Sequence, residues 1–235
     1  MIFLLTNDDG IDAAGLKKLA QIAVQIADEV YIVAPEGQRS AISHAITIRQ
    51  PLKVKQVEYS VKGVIAYSCS GTPADCVKVA INAILDKKPD VVLSGINKGY
   101  NMGFDTVYSG TAAAARDAVY QGVKAFAIST WEEKYDIIDK ELKNIIEQIL
   151  KKEISADEFW NINFPDCNLD DYKGIKETKA AKFSYYLDTF KEKQISDNEW
   201  EYTLGNEKYE ITDKDCDFYA IEHGYVSIEK MKIFM

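Results

Sequence analysis

The chain has 235 residues, 47% hydrophobic and 28% charged, enough for one full-sized domain with an elaboration or for two small ones. With 37 acidic against 28 basic side chains, its formal net charge is −9. That excludes a basic nucleic-acid groove and docking on an anionic membrane surface, so a phosphate-bearing ligand would need a cation or backbone donors.

The apolar run Ile2-Phe3-Leu4-Leu5 stops abruptly at Thr6-Asn7-Asp8-Asp9-Gly10. It predicts a buried parallel strand, and the carboxyl ends of such strands are where open α/β sheets bind ligands. Leu16, Leu19, Ala20, Ala23, Ile26 and Ala27 repeat at helical spacing, and Val30–Val33 is a second strand ending at Ala34-Pro35. Residues 36–45 form a polar loop expected at the same edge as Asp8 and Asp9. The alternating stretches Ile46–Arg49, Leu52–Tyr59 and Val61–Ser68 predict an inserted antiparallel hairpin. Residues 72–86 predict a helix with Pro73 in its first turn and an apolar face of Val77, Ala80, Ile81 and Ile84. The strand Val91–Leu93 runs into Ser94-Gly95-Ile96-Asn97, followed by a Gly-rich loop over 98–107. Ser109-Gly110-Thr111 then opens an Ala-rich helix, 124–129 is a strand, 139–152 an amphipathic helix, and 160–164 a last strand.

The fold expected is a Rossmann-like, doubly wound, mostly parallel α/β sheet. Residues 1–165 form the catalytic domain, and 166–235 form a β-rich extension of it, an arm or hairpin for oligomer contacts.

Chemistry-bearing residues collect in three loops at the carboxyl edge. Adjacent carboxylates repel unless a cation or donors hold them, and the oxygen ligands Asp8, Asp9, Ser40 and Asn97 suit a hard ion, Mg²⁺, Mn²⁺ or Ca²⁺. Without such an ion, an acidic residue here would simply cap the next helix. Ser109-Gly110-Thr111 at a helix start offers free N–H groups and hydroxyls to an anion, or merely an N-cap. No Walker loop or GxGxxG fingerprint occurs, and His44 and His223 are too few for a His-rich zinc site. His44, near Ser40, is either a proton donor to a leaving group or a surface histidine, the latter being the simpler reading. The four cysteines, Cys69, Cys76, Cys167 and Cys216, show no CxxC or zinc spacing. Nothing at the N-terminus resembles a signal peptide, and no run reaches the roughly 18 apolar residues of a membrane span. A cytoplasmic protein with reduced thiols is expected.

Six motifs occur in order: TNDDG (Thr6–Gly10), AP…RS (Ala34–Ser40), GTPADCV (Gly71–Val77), SGINKGYNMGFDTVYSGT (Ser94–Thr111), NINFPD (Asn161–Asp166) and GYVSI (Gly224–Ile228). Together they resemble the SurE (survival protein E) family, most strongly over residues 1–130. The resemblance implies a metal-dependent 5'- and 3'-nucleotidase acting on nucleoside monophosphates, with short-chain polyphosphate as a further substrate. It places the metal ligands on Asp8, Asp9, Ser40 and Asn97, and the phosphate side on Asn101, Ser109, Gly110 and Thr111. It also implies a homodimer or tetramer built by exchange of C-terminal elements. The chain departs from the family pattern at Ala112, Arg116, Asp117 and Ala118 behind the phosphate turn. It departs again at Glu229-Lys230-Met231, where TPL is usual, and a short C-terminal arm is expected. Hydrolysis by an activated water is the leading mechanism, with Asp8 or Asp9 orienting the water, and an aspartyl-phosphate at Asp8 is the variant. The competing classes are a receiver-like phospho-acceptor module and a binding scaffold.

Overall fold

The computed structural model describes residues 1–184, 189–205 and 211–233. Parts of the expected β-rich extension over 166–235, namely 185–188, 206–210 and 234–235, lie outside the described residues.

In chain order the strands are β1 (Ile2–Thr6), β2 (Glu29–Pro35), β3 (Val54–Val57), β4 (Val64–Cys69), β5 (Val91–Lys98), β6 (Lys124–Thr130), β7 (Glu158–Phe164), β8 (Gly174–Glu177), β9 (Phe190–Ser196), β10 (Glu199–Leu204) and β11 (Tyr225–Lys232). The helices are α1 (Ala14–Ala23), α2 (Pro73–Val79), α3 (Gly110–Tyr120), α4 (Asp136–Leu150) and α5 (Asp217–Glu222). Nine strands make one sheet in the order β3-β4-β2-β1-β5-β6-β7-β11-β8, and β9 with β10 form a separate hairpin. The strands from β4 to β7 in that order are mutually parallel.

Strand periodicity explains the double winding. Phe3, Leu5, Leu93, Phe126 and Ile128 face α1 and α4, whereas Leu4, Val33, Val92, Ala125 and Ala127 face α2 and α3. Both faces are apolar, so both must be covered by helices. Gly15 permits this packing, because a Cβ there would lie 2.0 Å from the Ile96 carbonyl oxygen.

Two local expectations change. Residues 46–49 form no strand, and β3 makes the expected antiparallel pair with β4, but β4 also belongs to the parallel set. It pairs parallel with β2 inside the main sheet, leaving only β3 antiparallel at the edge. Alternation alone does not distinguish an edge hairpin from a sheet strand that carries one. The helix at Pro73 starts as expected, with a reciprocal capping box between Thr72 and Asp75, and passes into a π-turn over Ala80–Ile84.

The C-terminal strands continue the same sheet: β11 pairs antiparallel with β7, and β8 lies outside it. A third apolar cluster, Met102, Ala181, Cys216, Phe218 and Ile221, packs α5 against the loop after β5. Among the described residues no helix is long and apolar enough to cross a membrane.

Candidate functional site

The turn after β1 is closed by its own asparagine. Asn7 Nδ2 donates to the Gly10 carbonyl at 2.9 Å, and Asn7 Oδ1 accepts from the Gly10 N–H at 3.2 Å. This leaves Asp8 and Asp9 at the carboxyl edge, each engaged by a different neighbour. The Asp8 carbonyl accepts from the Arg39 N–H at 2.6 Å, which docks the 36–45 loop that carries Ser40. The Asp8 carboxylate accepts the Thr111 hydroxyl proton at 2.5 Å, tying β1 to the start of α3. Asp9 Oδ2 accepts from the Lys98 N–H at 3.0 Å, tying it to the end of β5, where Asn97 lies.

The structure therefore sets Asp8 against Gly110 and Thr111, places Asp9 and Asn97 on one cavity, and leaves Ser40 in the loop docked on the Asp8 carbonyl. Gly110 makes the close approach possible, since a Cβ there would stand 2.9 Å from Asp8 Cβ and 3.0 Å from its Oδ2. Ser40 Oγ accepts from Gln38 Nε2 at 2.8 Å, and Asn97 Nδ2 donates to the Gly99 carbonyl at 2.8 Å, so the Asn97 amide oxygen is directed elsewhere.

Asp8 is 5% exposed. Burial pushes its carboxyl up to about 6; the Thr111 hydroxyl opposes that, and the neighbouring Asp9 charge adds to it. Burial also raises Asp9, against the Lys98 amide and ammonium. A buried carboxylate with another beside it favours a cation. Among the described residues no three His, Cys, Asp or Glu side chains come together, so an ion here would need hydroxyl or amide oxygens, such as those of Ser40 and Asn97, beside the two carboxylates. That set fits a hard divalent ion.

Other expected residues are placed differently. Ser109 is the N-cap of α3, its hydroxyl accepting from the Ala112 N–H at 3.0 Å, and the Thr111 hydroxyl is used on Asp8. Asn101 points inward: its Nδ2 donates to Ser129 Oγ, and its carbonyl accepts from both Asn161 and Asn163. It braces the loop after β5 instead of presenting an amide to the site. His44 is half-exposed, 3.5 Å from Asp117 on α3, which also pairs with Lys78 at 3.4 Å. Six residues beyond Thr111, that contact lies about 9 Å along the helix, which favours the surface reading of His44. Arg116 turns inward behind the phosphate turn, donating to the Thr106 carbonyl and stacking 5.6 Å from the Phe159 ring.

Asn161, Asn163, Ser129 and Asp217 were not anticipated as supports. Asp217 is fully buried and accepts from the Gly103, Ala181 and Phe218 N–H groups. The Asn-Ile-Asn-Phe alternation was the available signal, since period two puts both asparagines on one face of β7. Asp75 is another: burial alone would raise it, but donors from Thr47 and Thr72 hold it below the usual carboxylate range and fix the 45–47 segment.

Two cavities flank the segment from Asn97 to Tyr100. One of about 260 Å³ is lined by Asp9, Gln38, Asn97, Lys98, Glu133 and Tyr135. The other, about 250 Å³, is walled by Tyr100, Trp131, Met102, Phe218 and Ile221, with Tyr100 and Trp131 ring centroids 5.4 Å apart.

Fold and site together define an open α/β protein with a pair of adjacent carboxylates, Asp8 and Asp9, at the carboxyl edge of its parallel strands. The family model described as "Survival protein SurE" matches residues 3–186. "5'-nucleotidase SurE" of Thermoanaerobacter sp. (strain X514) is 42% identical over 97% of this chain and 90% of its own length. The Flavobacterium johnsoniae protein of the same name is 38% identical over 97% and 89%. The crystal structure of the Sure protein from Aquifex aeolicus superposes with a TM-score of 0.87 at 31% identity, covering 100% of this chain and 94% of that one. The chain belongs to the SurE family.

Proposed function

We propose that this SurE-family chain is a divalent-metal-dependent 5'-nucleotidase that hydrolyses the phosphate ester of nucleoside monophosphates. Its relatives carry that name, and a phosphoric monoester hydrolase is the class that family membership supports, ahead of a receiver module or a scaffold. The observation that carries the site assignment is the convergence on Asp8 and Asp9 of the Arg39-Ser40 loop, the Asn97-Lys98 strand end and the start of α3.

Asp8, Asp9, Ser40 and Asn97 would hold the ion, Mg²⁺ or Mn²⁺, with Ca²⁺ as a structural substitute. That ion supplies Lewis acidity toward the phosphoryl group. Asp8, buried and locked by Thr111, is a ligand and not a nucleophile, which disfavours an aspartyl-phosphate. Asp9, half-buried and lining the open cavity, orients the attacking water. The Gly110 amide and the Ser109 hydroxyl at the positive end of α3 stabilise charge on the transferring group. Asn101 supports the loop between them from behind. The aromatic cavity of Tyr100, Trp131 and Phe218 receives the nucleoside. Because these groups address phosphate and not the ester's sugar position, 3'-monophosphates and short polyphosphate fall within the same reading.

The chain acts in the cytoplasm as a homodimer or tetramer. All four cysteines are free thiols, three of them buried. The β9–β10 hairpin supports assembly: Phe190, Trp200, Tyr202 and Leu204 share one exposed face in register, while Lys193 and Glu201 pair on the other. An isolated two-stranded hairpin is marginal in water, and these four exposed side chains, which share their face with Glu192 and Gln194, fit a second copy as partner.

The test is phosphate release from 5'-AMP by metal-stripped protein with and without Mn²⁺, beside Asp9→Asn. Metal-dependent release lost in the variant supports the reading. No release from folded wild type on AMP, other monoesters or polyphosphate refutes it.

A further inference from the structure

The antiparallel register of β7 and β11 sets Asn161 directly opposite Glu229. Opposed residues on one face of such a pair bring their Cβ atoms to roughly 4.5–5.5 Å. Both are buried, at 1% and 7% exposure. Asn161 Nδ2 donates to the Asn101 carbonyl at 2.8 Å, and Asn161 Oδ1 has no hydrogen-bond partner. Glu229 Oε1 accepts from the Ala180 N–H at 2.6 Å, and Glu229 Oε2 has no partner either. Two buried acceptors on facing residues repel unless one carries a proton, and a carboxylic acid is the only one of the two that takes one near neutrality.

We propose that Glu229 is a neutral carboxylic acid in the folded protein at neutral pH, its Oε2–H donating to Asn161 Oδ1, and that it is a positioning residue for the loop between Asn97 and Gly103. The proton completes a continuous relay. Ala180 N–H binds Glu229, Glu229 binds Asn161, and Asn161 binds the Asn101 carbonyl. Asn163 clamps both the N–H and the carbonyl of Asn101, and Asp217 holds the Gly103 N–H at 2.7 Å. The C-terminal strand thereby fixes the segment that begins with a candidate metal ligand.

The electrostatic surroundings agree. Burial first, and the Asp217 charge second, push the Glu229 carboxyl up to about 8, with only the Ala180 amide opposing. From α5 the facing group is Asp217; from β7 it is the uncharged Asn161. On α3, Arg116 is engaged with the Thr106 carbonyl and the Phe159 ring, and among the described residues no ion pair involves Glu229. Ionisation places a carboxylate against Asn161 Oδ1 and Asp217 and removes the donor, which loosens the relay.

The sign of the linkage follows. A folded-state value of about 8 against 4.5 means that the folded protein retains the proton between those limits. The stability contributed is fully present below about 4.5 and declines until pH passes about 8. Glu229→Gln mimics the neutral acid, accepting from Ala180 and donating to Asn161 at every pH. Glu229→Met keeps the length and removes both polar groups.

The test compares wild type and Glu229→Gln without substrate. In infrared difference spectra at pH 7, wild type should show the C=O stretch of a protonated carboxyl that Glu229→Gln lacks, lost with a midpoint near 8. The Tm advantage of Glu229→Gln over wild type should widen from pH 5 to 8 and then level off. In AMP hydrolysis, which additionally rests on the proposed function, Glu229→Gln should keep the neutral-pH kcat and lose an alkaline decline near pH 8, whereas Glu229→Met should lose kcat throughout. No protonated-carboxyl band at pH 7, parallel Tm curves, or failure of Glu229→Gln to fold overturns the assignment. The wild-type infrared titration decides without any variant, and absence of nucleotidase activity leaves the substrate-free measurements standing.

Discussion

Thr111→Val tests the anchoring of the site directly. The hydroxyl donates at 2.5 Å to a carboxylate that is itself 5% exposed, and Thr111 is fully buried, so water cannot replace the lost donor. Valine keeps the branched shape and removes only the polar contact. A hydrogen bond to a charged group contributes about 1.5–3 kcal/mol, which at 1.4 kcal/mol per decade is roughly 10- to 100-fold in an equilibrium constant. The same range, about 10–100-fold, is typical for removing a support behind a metal ligand. Titration calorimetry of metal-free protein with Mn²⁺ should therefore show that loss of affinity, with little change in fold. Because burial raises Asp8 to about 6, protons compete with the ion below that pH. Wild-type affinity should climb with pH up to about 6 and then flatten. In Thr111→Val, where burial is no longer opposed by the hydroxyl, the break should move higher. Unchanged affinity and an unchanged break would refute the placement of the ion at Asp8.

Trp131→Ala should raise KM for AMP by about tenfold, the order of one lost base–aromatic stack at ~1–3 kcal/mol, and leave hydrolysis of p-nitrophenyl phosphate unaltered in steady-state kinetics; equal effects on both substrates would remove the nucleoside from that cavity. Trp200→Ser with Tyr202→Ser should shift the mass measured by light scattering toward monomer while leaving monomer Tm within a few degrees, because both side chains are exposed on the hairpin; an unchanged oligomer would assign the contact elsewhere.

Much of the architecture was legible because parallel strands buried on both faces read as short apolar runs, and the polar residues that stop them mark the binding edge. Asp8, Asp9, Ser40 and Asn97 were singled out in this way, and the burial of consecutive residues on β1, β5 and β6 follows directly from the same runs. Of the residues expected on the phosphate side, the side chains of Asn101, Ser109 and Thr111 hydrogen-bond to Ser129, the Ala112 N–H and Asp8, contacts that residue type and spacing do not reveal. A side chain with both donor and acceptor capacity can serve a ligand or its own backbone, and only the neighbours decide which. The stretch Ile46–Arg49 failed for a similar reason, since alternation describes extended chain whether or not a strand lies alongside it.

The sequence by itself determined the doubly wound core and the edge at which Asp8 and Asp9 lie, because these depend on periodicity and residue type within short segments. Tertiary structure alone decided that Thr111 holds Asp8, that Lys98 holds Asp9, and that Glu229 faces Asn161 across β7 and β11. Those pairings join residues as many as 103 positions apart in the chain, and strand order and register, which no local pattern encodes, set which polar atoms meet and which proton must be present when they do.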